Sequence, residues 1–375
     1  MSCKRGLIFA VLLAGVGAAL LWPPTTPRTQ AATWNSTLAS AVQDQQASPQ
    51  QGAPPPVAPP SQSTAPQQEP GYTINVQSAI VRLEVVVTDQ DGNVLTGLTR
   101  VNFRVLQDNT PQQVTNFTPS EAPITMVMLM EYSRLFGGMV SNQGVQWAAP
   151  FLRELKPQDW TALITYDIKP HLVVDFTHDP QELMSGLMRL MIPSFSEANM
   201  FDALIDTLDR LQDVQGKKSI LLIASGFDTF SKHTLDQTYK RLKQTDVTIF
   251  CVGMGEVMME YIAEHQQPST QISYLQSKNE LTYFAAMTGG YSWFPRFYGE
   301  MPDIFNSVAT FLRNQYSLGF VPSGNANDGK YHKIKVDVVD KDGKPMMITD
   351  KKGKQKKVIA YARQGYMAQT AGIGD

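Results

Sequence analysis

The chain has 375 residues, more than one ordinary core accommodates, and reads as two folded units with tails. A formal net charge of −2 gives no reason to expect a nucleic-acid partner, and 42% hydrophobic residues are enough to build buried cores. The two cysteines are Cys3, in the leader, and Cys251, in an apolar run, which excludes a disulfide scaffold or a Cys-based zinc site once the leader is removed.

Residues 1–31 read as a signal peptide or an uncleaved anchor. Lys4 and Arg5 precede an apolar run from Leu7 to Trp22, and small residues follow up to Ala31-Ala32. Sixteen apolar residues are slightly short for a bilayer span, so export is the expectation, and retention through this segment as a membrane tether stays open. Residues 32–70 are rich in Pro, Gln, Ser and Ala. No Lys or Arg occurs between Arg28 and Arg82, and such a stretch buries too little apolar surface to fold, so it is expected to be a disordered spacer.

From residue 72 to 117 the hydrophobic period is two. Strands are expected over 80–87, 103–106 and 113–117, with a hairpin turn at Asp91-Gly92. Asp89 to Gly92 is not a calcium loop, because Val87 stands where that loop needs an oxygen ligand. Between 123 and 314 continuous apolar strands alternate with helices. The strands are 124–130, 160–166, 172–176, 219–224, 247–252 and 291–294; the helices are about 140–155, 180–191, 200–212, 281–287 and 303–314. Strands with no polar face, alternating with helices, imply a doubly wound, mostly parallel α/β sheet. Residues 315–368 return to period two, with strands at 316–321, 333–339, 346–349 and 358–362 and turns at Asp342-Gly343 and Lys352-Gly353. Each flank alone holds too few strands for a robust β domain. The α/β unit is therefore expected to be inserted between the two halves of one β-sandwich, with two separate small sheets as the alternative.

Several short motifs stand in a fixed order: Val85 to Phe117 with Asp91-Gly92 and Asn102-Phe103, Asp202-Ala203, Ala286-Met287-Thr288-Gly289-Gly290, Gln315 to Phe320, and Arg363-Gln364-Gly365-Tyr366. In that order they resemble bacterial proteins with a von Willebrand factor A-related domain, a family first catalogued in acidobacteria, over roughly residues 72–368. The resemblance implies a metal-ion-dependent adhesion site at the carboxyl edge of the sheet, where loops from neighbouring strands converge. Its first loop is Asp-x-Ser-x-Ser; the aligned residues here are Glu131, Ser133 and Leu135. Its second loop places a Thr before an Asp-Ala pair; here Asp202-Ala203 is preceded by Ala198 and Asn199. Its third loop carries an Asp where Ser225 stands, with Asp228 three residues on. Three of five positions have lost the expected ligand. A hard cation needs about six oxygens, several of them charged, to offset its dehydration. Glu131, Ser133, Ser225 and Asp228 with waters would make at most a weak site. The expectation is a polar crevice with no metal and no cofactor.

Catalysis is not expected: GxSxG, HExxH and the full P-loop pattern GxxxxGK(S/T) are all absent, and the five histidines are not spaced as metal pairs. Asp167 and Asp175 flank a short edge strand and suit turn or capping roles. Two non-enzymatic readings remain, binding of a protein partner in the cell envelope through the crevice loops, and a structural role there without a crevice ligand. Phe227, Phe230, Tyr132, Phe136 and Phe195 favour the first if their rings are exposed. The cluster Lys351-Lys352, Lys354, Lys356-Lys357 reads as a solvated hairpin tip before it reads as an anion-binding surface.

Overall fold

The computed structural model describes residues 80–119, 123–190, 193, 195–257, 268–323, 328–350 and 352–369. The leader and spacer expectations lie outside these residues. Among the described residues, no helix is long and apolar enough to cross a membrane.

The N-terminal stretch forms β1 (Val81–Asp89), β2 (Phe103–Gln107), β3 (Thr110–Gln112) and β4 (Val114–Pro119). The middle contributes β5 (Ile124–Glu131), α1 (Arg134–Glu154), β6 (Trp160–Tyr166), β7 (Pro170–Thr177), α2 (Pro180–Met188), α3 (Met200–Arg210) and β8 (Lys217–Ala224). It continues with α4 (Leu235–Gln244), β9 (Thr248–Gly253), α5 (Pro268–Thr288), β10 (Ser292–Trp293) and α6 (Met301–Arg313). The C-terminal stretch adds β11 (Gln315–Phe320), β12 (Tyr331–Val338), β13 (Met347–Thr349), β14 (Gln355–Tyr361) and β15 (Gly365–Met367).

The middle strands form one sheet in the order β10-β9-β8-β5-β6-β7, parallel throughout except for the antiparallel edge strand β7. Alternate side chains of each central strand enter opposite layers. Ile124, Met126, Met128 and Met130 of β5 pack with α1 and α6, whereas Val127 and Leu129 pack with α3 and α5. Helices cover both faces, so both sets must be apolar. The order of strands reverses between β5 and β8, and the crevice of such a sheet opens at that point, beyond the carboxyl ends of the strands.

The flanking strands interleave. One sheet runs β13-β14-β1-β11-β4, the other β15-β12-β2-β3, and each mixes strands from both ends of the described chain. Leu83, Val85 and Val87 of β1 share one core with Phe103 and Val105 of β2, Leu318 and Phe320 of β11, and Ile334 and Val338 of β12. Val86, on the other face of β1, packs into the α/β core beside Tyr361. The two C-terminal motifs meet in space. Gln364 donates its backbone N–H to the Met287 carbonyl at 3.1 Å, and a Cβ on Gly289, already at φ +84°, would lie 2.6 Å from the Arg363 nitrogen. Gly289 is required there by close approach as well as by its backbone angle.

Three hairpin turns repeat one device. Asp89, Asp340 and Asp350 each accept from the amides two and four residues on, at 2.8–2.9 Å, with Gly92, Gly343 and Gly353 at positive φ. The carboxylate mimics a backbone acceptor, so Asp89 makes a plain turn. Within the lysine cluster, Lys356 is tied to Asp91 and Asp350.

Several elements differ from the sequence reading. The first helix begins at Arg134, not near 140, with Ser133 as its N-cap residue. α4 went unread because most of its side chains are polar and only Thr238 and Leu242 are buried; its start is set by a capping box between Thr234 and Gln237. α5 spans 21 residues although only its last turns read as helical, because Ile272 and Leu275 in its first half are exposed and break the amphipathic pattern.

Candidate functional site

The reversal between β5 and β8 gathers three of the sequence-chosen residues. Glu131 ends β5, Ser133 begins the turn into α1, and Ser225 follows β8. The carboxylate of Glu131 spans the crevice. Its Oε1 accepts from Ser133 Oγ at 2.8 Å, and its Oε2 accepts from the backbone N–H and the Oγ of Ser225, both at 2.7 Å. All three residues are at most 3% exposed. Ser133 would ordinarily cap α1 with its hydroxyl, but that hydroxyl is turned to Glu131 and makes no capping bond.

Burial raises the Glu131 carboxyl above its ordinary range, and the hydrogen bonds from Ser225 and Ser133 only partly oppose this. Beside it, at the end of β6, the Tyr166 hydroxyl is fully buried with no hydrogen-bond partner among the described residues. Burial, then the charges of Glu131 and Asp228, push its ionisation far up.

The second loop is locked by short polar contacts. Thr229 Oγ1 accepts from the Ala198 N–H at 2.8 Å and donates to the Ala198 carbonyl at 3.0 Å. Asn199 accepts from Phe230 N–H at 3.1 Å and donates to the Ile168 carbonyl at 3.0 Å. Asp228 does not join Glu131. Its carboxylate accepts from the Phe201 N–H at the start of α3 (3.0 Å) and from Ser231 Oγ (2.6 Å). Asp202 accepts from the Lys232 and His233 amides at 2.9 and 3.0 Å and contacts the His233 ring at 2.7 Å. Burial opposes the charge of Asp202, but these donors outweigh it and hold its carboxyl below the ordinary range. Leu135 lies in the first turn of α1; its side chain is outside the described residues. Thr229, Ser231, His233 and Tyr166 were not singled out from sequence. The only signal for the first two was a hydroxyl-rich run between Ser225 and Ser231.

This donor set does not fit a hard divalent cation. One carboxylate and two hydroxyls converge, and a backbone N–H already occupies an oxygen of that carboxylate. Ala198 brings no side-chain oxygen, and a phenol held neutral is a poor ligand for such an ion. Among the described residues, no group of three or more His, Cys, Asp or Glu side chains is placed to hold a metal. Asp167 and Asp175 do not pair: Asp167 accepts from the Lys169 N–H and contacts the His171 ring, and Asp175 accepts from the Phe176 N–H.

Around this closed centre the aromatic side chains divide. Phe136 is fully buried in the α1 core, so it does not meet the condition of exposure and drops out of the candidate rim. Tyr132 packs partly against the same core, and Phe227 is half-buried. Phe230 is 72% and Phe195 43% exposed, and both stand on the crevice loops with Ile168 and Leu172 among the exposed apolar residues.

Comparison by sequence finds no matching family model and no matching curated protein. Solved structures that resemble the chain include a von Willebrand factor type A protein from Catenulispora acidiphila, 10% identical over 70% of this chain and 72% of that one, with a TM-score of 0.40. The vWF domain of the type V pili tip protein Mfa5 from Porphyromonas gingivalis is 11% identical over 52% of this chain and 96% of its own, with a TM-score of 0.39. Proximal thread matrix protein 1 from the mussel byssus is 10% identical over 52% of this chain, with a TM-score of 0.40, and the match spans 49% of its length, about half. What decides the fold is the strand order of this chain, with its single antiparallel edge and its crevice between β5 and β8. The middle unit is von Willebrand factor A-like. In this A-like unit the three loops at the crevice carry Glu131 and Ser133, Ala198 and Asn199, and Ser225.

Proposed function

We propose that this chain is an exported, non-catalytic cell-envelope protein that binds a protein partner on the loop rim of its A-like unit, without a metal ion. The observation that carries the reading is the division at the crevice. The Glu131 carboxylate is buried and taken up by Ser133 and Ser225, while Phe230 and Phe195 on the crevice loops stand exposed. Large rings on rigid loops bury much area at little entropic cost when a partner covers them, and they are the side chains that anchor interfaces. The loops themselves are fixed by the Thr229–Ala198 and Asn199–Phe230 bonds, so the rim is preorganised. The leader and the Pro/Gln-rich spacer support export and a mount that holds the folded part away from a surface. The interleaved strands support the reading that the A-like unit is inserted in one β-sandwich, which would present the crevice at the far end of the molecule from the insertion points.

The test is co-purification from envelope extract of the native chain and of the double variant Phe195→Ser, Phe230→Ser. Both positions are exposed, so the variant keeps its fold, which circular dichroism checks. A partner retained by the native chain and lost by the variant supports the proposal. Identical sets of co-purifying proteins would refute it in favour of a scaffold role.

A further inference from the structure

At the opposite end of the parallel strands from the crevice, a cleft of about 860 Å³ lies between the starts of β8 and β9 and the outer face of the β1–β11 sheet. That size is within the range of small-molecule sites. Its charge is lopsided. Arg82, Lys217, Lys218, Arg241 and Arg363 line it against only two acids, Glu84 and Asp246.

Part of this excess has local work. Helices α3 and α4 end here and Lys217 reaches the end of α6, and cations commonly satisfy the carbonyls of helix ends. Lys217 donates to the Leu312 carbonyl at 2.7 Å, Lys218 to the Leu211 carbonyl at 3.2 Å, and Arg363 to the Thr245 carbonyl at 2.8 Å. Arg241 is paired with Asp209 and Lys218 with Asp246, both at 2.9 Å. Carbonyls carry only partial charge, and Lys218, Arg241 and Arg363 have more donors than these bonds use. Arg82 stands exposed on the sheet face that forms one wall. Burial lowers the Lys217 ammonium to about 8, although Glu84 pulls the other way. Glu84 keeps one oxygen buried without a hydrogen-bond partner. Between the charges, Asn116, Thr118, Gln212 and Gln244 add amide and hydroxyl groups to the lining.

We propose that this cleft binds a sugar bearing a carboxylate or a phosphate. The cations of two facing walls supply charge-assisted bonds to the anionic group. The neutral amides and hydroxyls suit sugar hydroxyls, which both donate and accept. An apolar ligand would leave this many buried donors without partners.

The experiment is calorimetric titration of the full chain with glucuronate and glucose 6-phosphate, with glucose and inorganic phosphate as references. Expected is a Kd below about 1 mM for at least one of the two sugar acids, with glucose and inorganic phosphate each at least about tenfold weaker. Arg82→Gln and Arg241→Gln, which alter partly exposed guanidinium groups without opening a core, should each weaken binding by about tenfold. Binding should also decline as pH rises past about 8, as Lys217 loses its proton. No heat from either sugar acid at about 10 mM would overturn the proposal. So would glucose binding as tightly as the acids, which removes the need for charge, or phosphate binding as tightly as both, which removes the sugar.

Discussion

Replacing Glu131 with Gln separates the charge of the crevice from its shape. The amide keeps the length and planarity of the side chain. Its oxygen can accept from the Ser225 N–H and Oγ, and its nitrogen can donate to Ser133 Oγ, so the three contacts at 2.7–2.8 Å survive in form. Each falls from a charge-assisted to a neutral hydrogen bond, a loss of about 1 kcal/mol apiece. Against this, holding an ionised carboxylate out of water costs several kcal/mol after relaxation. The balance favours Gln by roughly 1–2 kcal/mol when Glu131 is ionised, a rise in Tm of several degrees at about 2–4 °C per kcal/mol for a domain of this size. The effect carries a pH signature. The folded carboxyl is raised above its ordinary 4.5 by burial, so its contribution to stability is present at acid pH and is lost as pH rises through the folded value. Thermal unfolding of both proteins should therefore give similar midpoints at about pH 4, with the variant gaining steadily as pH rises through the folded value. A variant that loses stability with rising pH would show that the negative charge is stabilised, as a bound cation would stabilise it, and the metal-free reading would fail.

Other outcomes follow from named contacts. Both ring nitrogens of His332 meet carboxylates, Asp108 at 2.7 Å and Asp328 at 3.0 Å, and the Asp108 bond foremost raises the imidazole above 6.5. Its stabilising effect is complete below that unfolded value and disappears as pH rises through the folded one, so the stability difference between the native chain and His332→Gln should shrink towards alkaline pH in denaturant titrations. Gly289→Ala forces a Cβ to 2.6 Å from the Arg363 backbone at a left-handed position; a loss of about 3 kcal/mol or more is expected, read as a lower denaturation midpoint. Truncation after Asn314 removes both strands that flank β1 and uncovers Leu83, Val85 and Val87. At about 1.5–3 kcal/mol per buried aliphatic side chain, amide protection over 81–89 should vanish; full protection there would show that the N-terminal strands fold alone.

The α/β pattern was legible because the central strands are buried on both faces. Ile124 to Met130 and Ser219 to Ala224 contain almost no polar interruption, and few other structures require that. The Asp-x-x-Gly turns were legible for a local reason: the carboxylate and the positive φ are satisfied within five residues. α4 was not, because a helix with one polar face and a single deeply buried leucine leaves little periodic signal, and only its capping box marked it. The crevice lay between these cases. The resemblance implied that Glu131, Ser133 and Ser225 meet at one sheet edge, where the ends of neighbouring parallel strands converge.

What those residues do there was set by the tertiary structure. Ninety-four positions separate Glu131 from Ser225, and only the pairing of β5 with β8 brings that carboxylate within 2.7 Å of a hydroxyl and an amide. The sequence alone determined that the strand ends would carry one carboxylate and several hydroxyls. Burial and donor geometry decided that the carboxylate is consumed by its neighbours, that Asp228 turns to α3, and that Phe136 packs inward while Phe230 remains in solvent. Those are properties of distance and water exclusion between segments far apart in the chain, and no local pattern of residues encodes them.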